Sequence, residues 1–170
     1  MGAWSGPFLI ATLLLAAAGT SKLVDPTMTV GALRAAGIRV RAGVVRGAGG
    51  GEALLTIAAA VTGAPVLAGA VGVSYLVFTA FVIVVLTRQL PIGTCGCFGR
   101  IDTPPSALHV IVNIGAASSA FAVAVRDGGG LALVVRDQPL AGVPFVLLVL
   151  AGAYAAFAVL TVVPQLGARR

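Results

Sequence analysis

The chain has 170 residues, 59% of them hydrophobic and 9% charged, with 11 Lys and Arg against 5 Asp and Glu. Soluble domains average about 25% charged residues, so this composition cannot supply a wetted surface and excludes an ordinary soluble globule. The basic residues lie in short segments beside apolar runs and form no face interleaved with aromatics, which excludes a nucleic-acid binder and assigns them to membrane topology.

Residues 1–21 carry no charge and are long enough to span a bilayer, with Trp4 as an interfacial anchor. Ala16-Ala17-Ala18 would suit a signal peptidase, but the basic n-region of a cleaved signal is missing, so this segment is expected to stay as the first span. It ends at Ser21-Lys22-Leu23-Val24-Asp25-Pro26, where Pro26 disfavours helix before it and Lys22 can pair with Asp25. Residues 27–41 mix Val30, Leu33 and Ile38 with Arg34, Arg39 and Arg41, the pattern of a short interfacial segment with its arginines among headgroups.

Gly47 to Val61 is rich in glycine and alanine and contains Glu52. Small residues favour close packing in lipid, which puts this second span inside the bundle. Gly63-Ala64-Pro65 separates it from a third span, Ala64 to Leu86, and a loop over 87–106 follows. Pro104-Pro105-Ser106 opens a fourth span from Ala107 to Val125, which carries His109 and Asn113. After Gly128-Gly129-Gly130 a last span, Leu140 to Val163, is expected to end before Pro164 and a short basic tail. The expected fold is all-α, a polytopic transmembrane bundle of five spans in the cell membrane, or four if the second only half inserts.

With five spans, Lys22, Arg34, Arg39, Arg41, Arg46, Arg88, Arg100, Arg169 and Arg170 share one side, and Arg126 and Arg136 the other. The positive-inside rule then turns the 87–106 loop to the cytoplasm. Stable disulfides belong on the oxidising side. Charge and thiol chemistry therefore point this loop to opposite faces.

Both cysteines of the chain lie in that loop, in Cys95-Gly96-Cys97-Phe98-Gly99-Arg100. Across one residue of extended chain their Cα atoms would stand about 6.5–7 Å apart, at the edge of disulfide reach. Closing the ring needs a tight turn, and Gly96 can take the positive φ it requires. Such a bond would be strained, easily reduced and oxidising. Arg88, Arg100 and the start of the fourth helix could stabilise the thiolate that attacks. This reading is an exchangeable dithiol. Two others stand beside it: a metal site drawing on His109, Asp102 or Glu52, which is short of the usual four ligands, and two small apolar residues in a glycine turn.

Glu52 reads either as an ion-pair partner of Lys22 or Arg46 or as a proton-handling group at membrane depth. His109 and Asn113, four apart, share a helix face and could line a pocket beneath the loop. His109 could relay protons there, or simply bond a neighbouring helix. Tyr75 and Phe78 read as packing rather than as a quinone site.

Ser21-Lys22-Leu23-Val24-Asp25-Pro26, Glu52, Cys95-Gly96-Cys97-Phe98-Gly99 and Asn113 together resemble the methylamine-utilisation MauE family, within the DoxX-like four-helix membrane proteins. The resemblance covers about residues 5–125, and the Cys-Gly-Cys-Phe-Gly element is its most specific part. It implies an integral membrane protein of redox or disulfide handling, whose name-giving members look like assembly factors for a disulfide-rich periplasmic dehydrogenase subunit. A looser similarity, to the vitamin K epoxide reductase type, implies electron transfer to a membrane quinone, although this chain has no second cysteine pair.

The expectation that follows divides the chain into a DoxX-like bundle over 1–126 and an added loop, span and tail over 127–170. Cys95 and Cys97 are expected to exchange disulfides with a thiol partner protein, supported by Gly96, Phe98, Gly99, Arg100, Glu52, His109 and Asn113, with a quinone as possible acceptor. No bound metal and no nucleic acid are expected, and a homo-oligomer is left open. The alternatives are a non-catalytic assembly scaffold and a small transporter working through Glu52.

Overall fold

The computed structural model describes residues 3–93, 95–98, 103–126, 130–132 and 139–167. Gly99, Arg100 and Asp102, named above, lie outside the described residues. The described elements are helices: α1 (Ser5–Val24), α2 (Thr27–Ala35), α3 (Ala42–Thr62), α4 (Pro65–Thr87), α5 (Ala107–Val125) and α6 (Pro139–Gly167). All but the short α2 are long and apolar enough to cross a membrane, which settles the span count at five among the described residues. Their outer faces carry large apolar side chains such as Val66, Leu54, Ile111 and Leu148, which only a lipid surroundings makes favourable.

The punctuation follows local chemistry. Pro65 starts α4, where its missing N–H would be unsatisfied anyway. Gly63 ends α3 in the left-handed conformation at φ 64°, returning its N–H to the Ala59 carbonyl. Pro104 and Pro105 stand just before α5 rather than inside it, and Ser106 is its N-cap residue. The helix α3 begins five residues earlier than its glycine-rich stretch suggested, so Arg46 falls within it on an exposed face.

The helix α6 does not stop before Pro164. A proline has no N–H for the carbonyl four residues back, here that of Leu160. The Thr103 hydroxyl donates to that carbonyl instead, at 2.8 Å. With the orphan carbonyl satisfied by a neighbouring hydroxyl, a bilayer helix tolerates the proline.

The bundle is built around α1, which packs on α3, α5 and α6, while α4 pairs with α5. The core joins Phe8, Ala11 and Leu15 of α1 to Ala59 of α3, Val71 and Tyr75 of α4, and Ala117, Ala120 and Val123 of α5. The tightest crossing is between α1 and α3. A Cβ added to Gly49 would stand 2.6 Å from the Gly19 carbonyl oxygen, and one added to Gly19 would stand 2.7 Å from the Gly49 oxygen. Only hydrogens allow the two backbones to meet, as small residues do in membrane interfaces.

The chain alternates between the two ends of the bundle. Thr29 of α2 touches Gly96, and Ala32 packs with Ile92, so residues 25–41 share one end with the described residues between α4 and α5. Gly130 lies against residues 61–63 at the other.

The glycine crossing predicts a contrast on one helix. Gly49→Ala is expected to cost about 1–3 kcal/mol by overpacking, whereas Gly51→Ala, whose Cβ meets nothing within 4 Å, should be neutral or slightly stabilising. Thermal unfolding of the detergent-solubilised protein measures both, and equal Tm values for the two variants would contradict the contact.

Candidate functional site

The cysteine loop does not stay at the membrane edge. Cys97 lines a cavity of about 20 Å³ together with Leu14 and Ala18 of α1, Tyr75 and Phe78 of α4, and His109 and Asn113 of α5. Leu14 and Tyr75 lie midway along their helices, so the loop folds back into the bundle. Irregular backbone at that depth is tolerated where protein, not lipid, surrounds it.

Contacts among the described residues hold the loop there. The Cys95 amide donates to the Thr103 carbonyl at 2.8 Å. The Thr29 hydroxyl, on α2, donates to the Gly96 carbonyl at 2.6 Å. Phe98 is buried edge-on against Phe157 of α6, with ring centroids 5.1 Å apart, among Leu14, Ala18 and Leu160. Thus α2 covers the loop from outside and α6 walls it from the side.

Gly96 adopts φ +79°, a left-handed conformation that other residues rarely take. A Cβ there would also stand 2.9 Å from the Thr29 Cα. This turn brings the Cys95 and Cys97 sulfurs to 3.5 Å, and both are thiols with no disulfide between them. Cys95 is buried and Cys97 half-buried. The two sulfurs are already in contact.

Of the residues expected to support the pair, His109 and Asn113 share the cavity with Cys97, while Phe98 packs beside it. His109 is buried, with Nδ1 3.0 Å from the Ser106 hydroxyl at the helix start, a link that holds the ring in place. The cavity has room for about one water molecule. Arg88, considered as a thiolate partner, caps the C-terminus of α4 and is exposed.

Glu52 is not among the residues lining this cavity. Its carboxylate takes an ion pair from Lys22 Nζ at 2.6 Å, with both side chains largely buried. The glycine crossing makes this possible, since Lys22 lies one turn beyond Gly19 and Glu52 three residues beyond Gly49. Lys22 Nζ also stands 4.4 Å from the Phe78 ring centroid, a cation–π contact. Phe78 thus separates the ion pair from the thiol cavity. The Asp25 carboxylate, weighed as the partner of Lys22, accepts from Thr27 N–H and hydroxyl at the start of α2.

Spacing along the chain did not reveal the roles of Thr29, Phe157 and Leu160, because each meets the loop from a distant segment, nor that of Thr103, whose hydroxyl finds its partner 57 residues on. The lysine at the end of an otherwise uncharged span was a visible signal for Lys22. Tyr75 donates its hydroxyl to the Ala11 carbonyl at 2.6 Å and edges against Phe78, so it both packs α4 on α1 and walls the cavity.

Five helices able to cross a bilayer, with a thiol pair folded back between them, define a small multi-pass membrane protein. Residues 2–126 match the family model described as methylamine utilisation protein MauE, and the chain belongs to that family. Neither the curated proteins nor the solved structures contain a match to this chain. The matched region ends one residue after α5, so α6 lies beyond it.

The Lys22–Glu52 pair makes its own prediction. Lys22→Met strands a buried carboxylate and is expected to destabilise the bundle by about 3–5 kcal/mol. Lys22→Met combined with Glu52→Gln should recover most of that loss in the same unfolding assay. A double variant no better than the single one would show that the pair is not what Lys22 contributes.

Proposed function

We propose that Cys95 and Cys97 are a thiol–disulfide exchange pair that matures a disulfide-bearing partner protein. The observation that carries this reading is the 3.5 Å approach of the two sulfurs across a left-handed glycine. A pair held in contact loses little further freedom when it closes, and a pair across one residue gives a bond that is readily reduced again.

In the oxidising direction the steps balance simply. The dithiol gives two electrons and two protons to an acceptor, and a Cys95–Cys97 bond forms. A partner thiolate attacks the Cys97 sulfur, the more accessible of the two, and the Cys95 sulfur leaves as a thiolate. The partner's second thiol then attacks the mixed bond, so the partner departs oxidised and both cysteines are thiols again. A membrane quinone fits the acceptor by chemistry, being reduced to a quinol by those two electrons and two protons. A space for one water beside Cys97 holds no quinone ring, so the quinone would meet the pair from outside that cavity. The family description names methylamine utilisation, which supports a partner from that metabolism.

The remaining readings are weaker on geometry. A transporter would need Glu52 free to exchange its proton, whereas Lys22 engages it at 2.6 Å. A scaffold would give no reason for two sulfurs to be held in contact.

Membrane vesicles test the proposal directly. Impermeant maleimide added from either side, with and without reductant, is expected to show a pair that cycles between oxidised and reduced forms. Cys95→Ser should trap a partner on Cys97 as a mixed disulfide. Gly96→Ala, strained at φ +79°, should slow closure of the pair about fivefold or more. If Cys97 is never found oxidised and Cys95→Ser leaves maturation intact, the exchange reading is lost.

A further inference from the structure

The re-entrant loop is fastened at one residue, and the fastening runs to α6. Thr103 is 1% exposed. Its carbonyl accepts the Cys95 amide and its hydroxyl donates to the Leu160 carbonyl, each at 2.8 Å. That carbonyl is open to a hydroxyl because Pro164, four residues on, has no N–H to offer it. Within a bundle in lipid, a carbonyl freed in this way has no water to turn to. The same stretch of α6 supplies Phe157, whose ring meets Phe98 edge-on, and Ala156, which packs on the apolar cluster that holds Phe98 and against which Cys97 also packs. A helix outside the family match thus completes the wall of the thiol site.

We propose that Thr103 is a positioning residue for the cysteine pair, anchored by the proline-freed carbonyl of Leu160, so that α6 governs access to Cys95. Cys95 is 4% exposed, and a thiol or disulfide reagent reaches its sulfur only when the loop lifts from α6. Lifting breaks the Thr103 hydrogen bond and strands the Leu160 carbonyl, which keeps the open form scarce. For function, the inference rests on the exchange reading. Its test does not, because access to a sulfur can be read whether or not that sulfur ever exchanges.

The experiment uses the full chain in vesicles, in a Cys97→Ser background that leaves Cys95 as the sole thiol. The readout is the rate at which N-ethylmaleimide alkylates Cys95. Thr103→Val keeps the shape, removes the hydroxyl, and is expected to raise the rate about tenfold. Thr103→Ser keeps the hydroxyl and should stay within about twofold of the parent. Pro164→Ala returns an N–H to the Leu160 carbonyl, so the effect of Thr103→Val should shrink to about threefold or less in that background. An unchanged rate in Thr103→Val, a serine variant as fast as the valine one, or the full tenfold effect persisting with Pro164→Ala would each overturn the proposal. The alanine variant at 164 favours helix, so it keeps the test decisive even if Thr103→Val reduces the folded yield.

Discussion

The approach of α1 and α3 at Gly19 and Gly49 is the contact on which the rest of this bundle depends. Helices in lipid gain nothing from excluding water from each other, so they associate through close packing and polar contacts. Two glycines facing each other supply the first and make the second possible. With the backbones this near, Lys22 and Glu52 meet at 2.6 Å, and each charge finds its counter-charge inside the protein. A buried ion pair of this kind is weak evidence for net stability, but either ion alone would be costly. The pair therefore fixes the register of α1 on α3. Since α1 also packs against α5 and α6, that register passes to the whole bundle.

The thiol site is a consequence of this arrangement rather than an attachment to it. Leu14 and Ala18, a turn apart on α1, form part of the cavity wall beneath Cys97, and Lys22 continues the same stripe. Phe78 closes the space between the ion pair and the cavity. The loop reaches this depth because its backbone finds partners there: Thr29 for the Gly96 carbonyl, and Thr103 for the Cys95 amide. In water such a loop would have no reason to fold inward.

The chemistry of the site follows from two opposed demands. A dithiol that exchanges must be easy to close, and the turn at Gly96 provides contact between the sulfurs. It must also be guarded, and the burial of Cys95 does that, with its neighbours Gly96 and Phe98 held against α2 and α6. Among the described basic residues, Lys22, Arg34, Arg39, Arg41, Arg46 and Arg88 lie toward the end of the bundle where the loop enters.

The sequence by itself determined the class of protein, the number of spans and most of their limits. A bilayer demands about 20 apolar residues per helix, and glycine and proline mark where each must stop. The ends of α4 and α5 fall within a residue of those marks. The Cys-Gly-Cys turn was legible too, because the constraint on its geometry is local. Only the tertiary structure decided who meets whom. Lys22 pairs with a carboxylate thirty residues away, the loop enters the bundle instead of staying at its edge, and α6 runs through Pro164 because a threonine 57 residues before Leu160 satisfies the freed carbonyl. The reason is common to all three. In a medium without water, each polar group takes its partner from whatever the fold brings near, and spacing along the chain does not encode that neighbour.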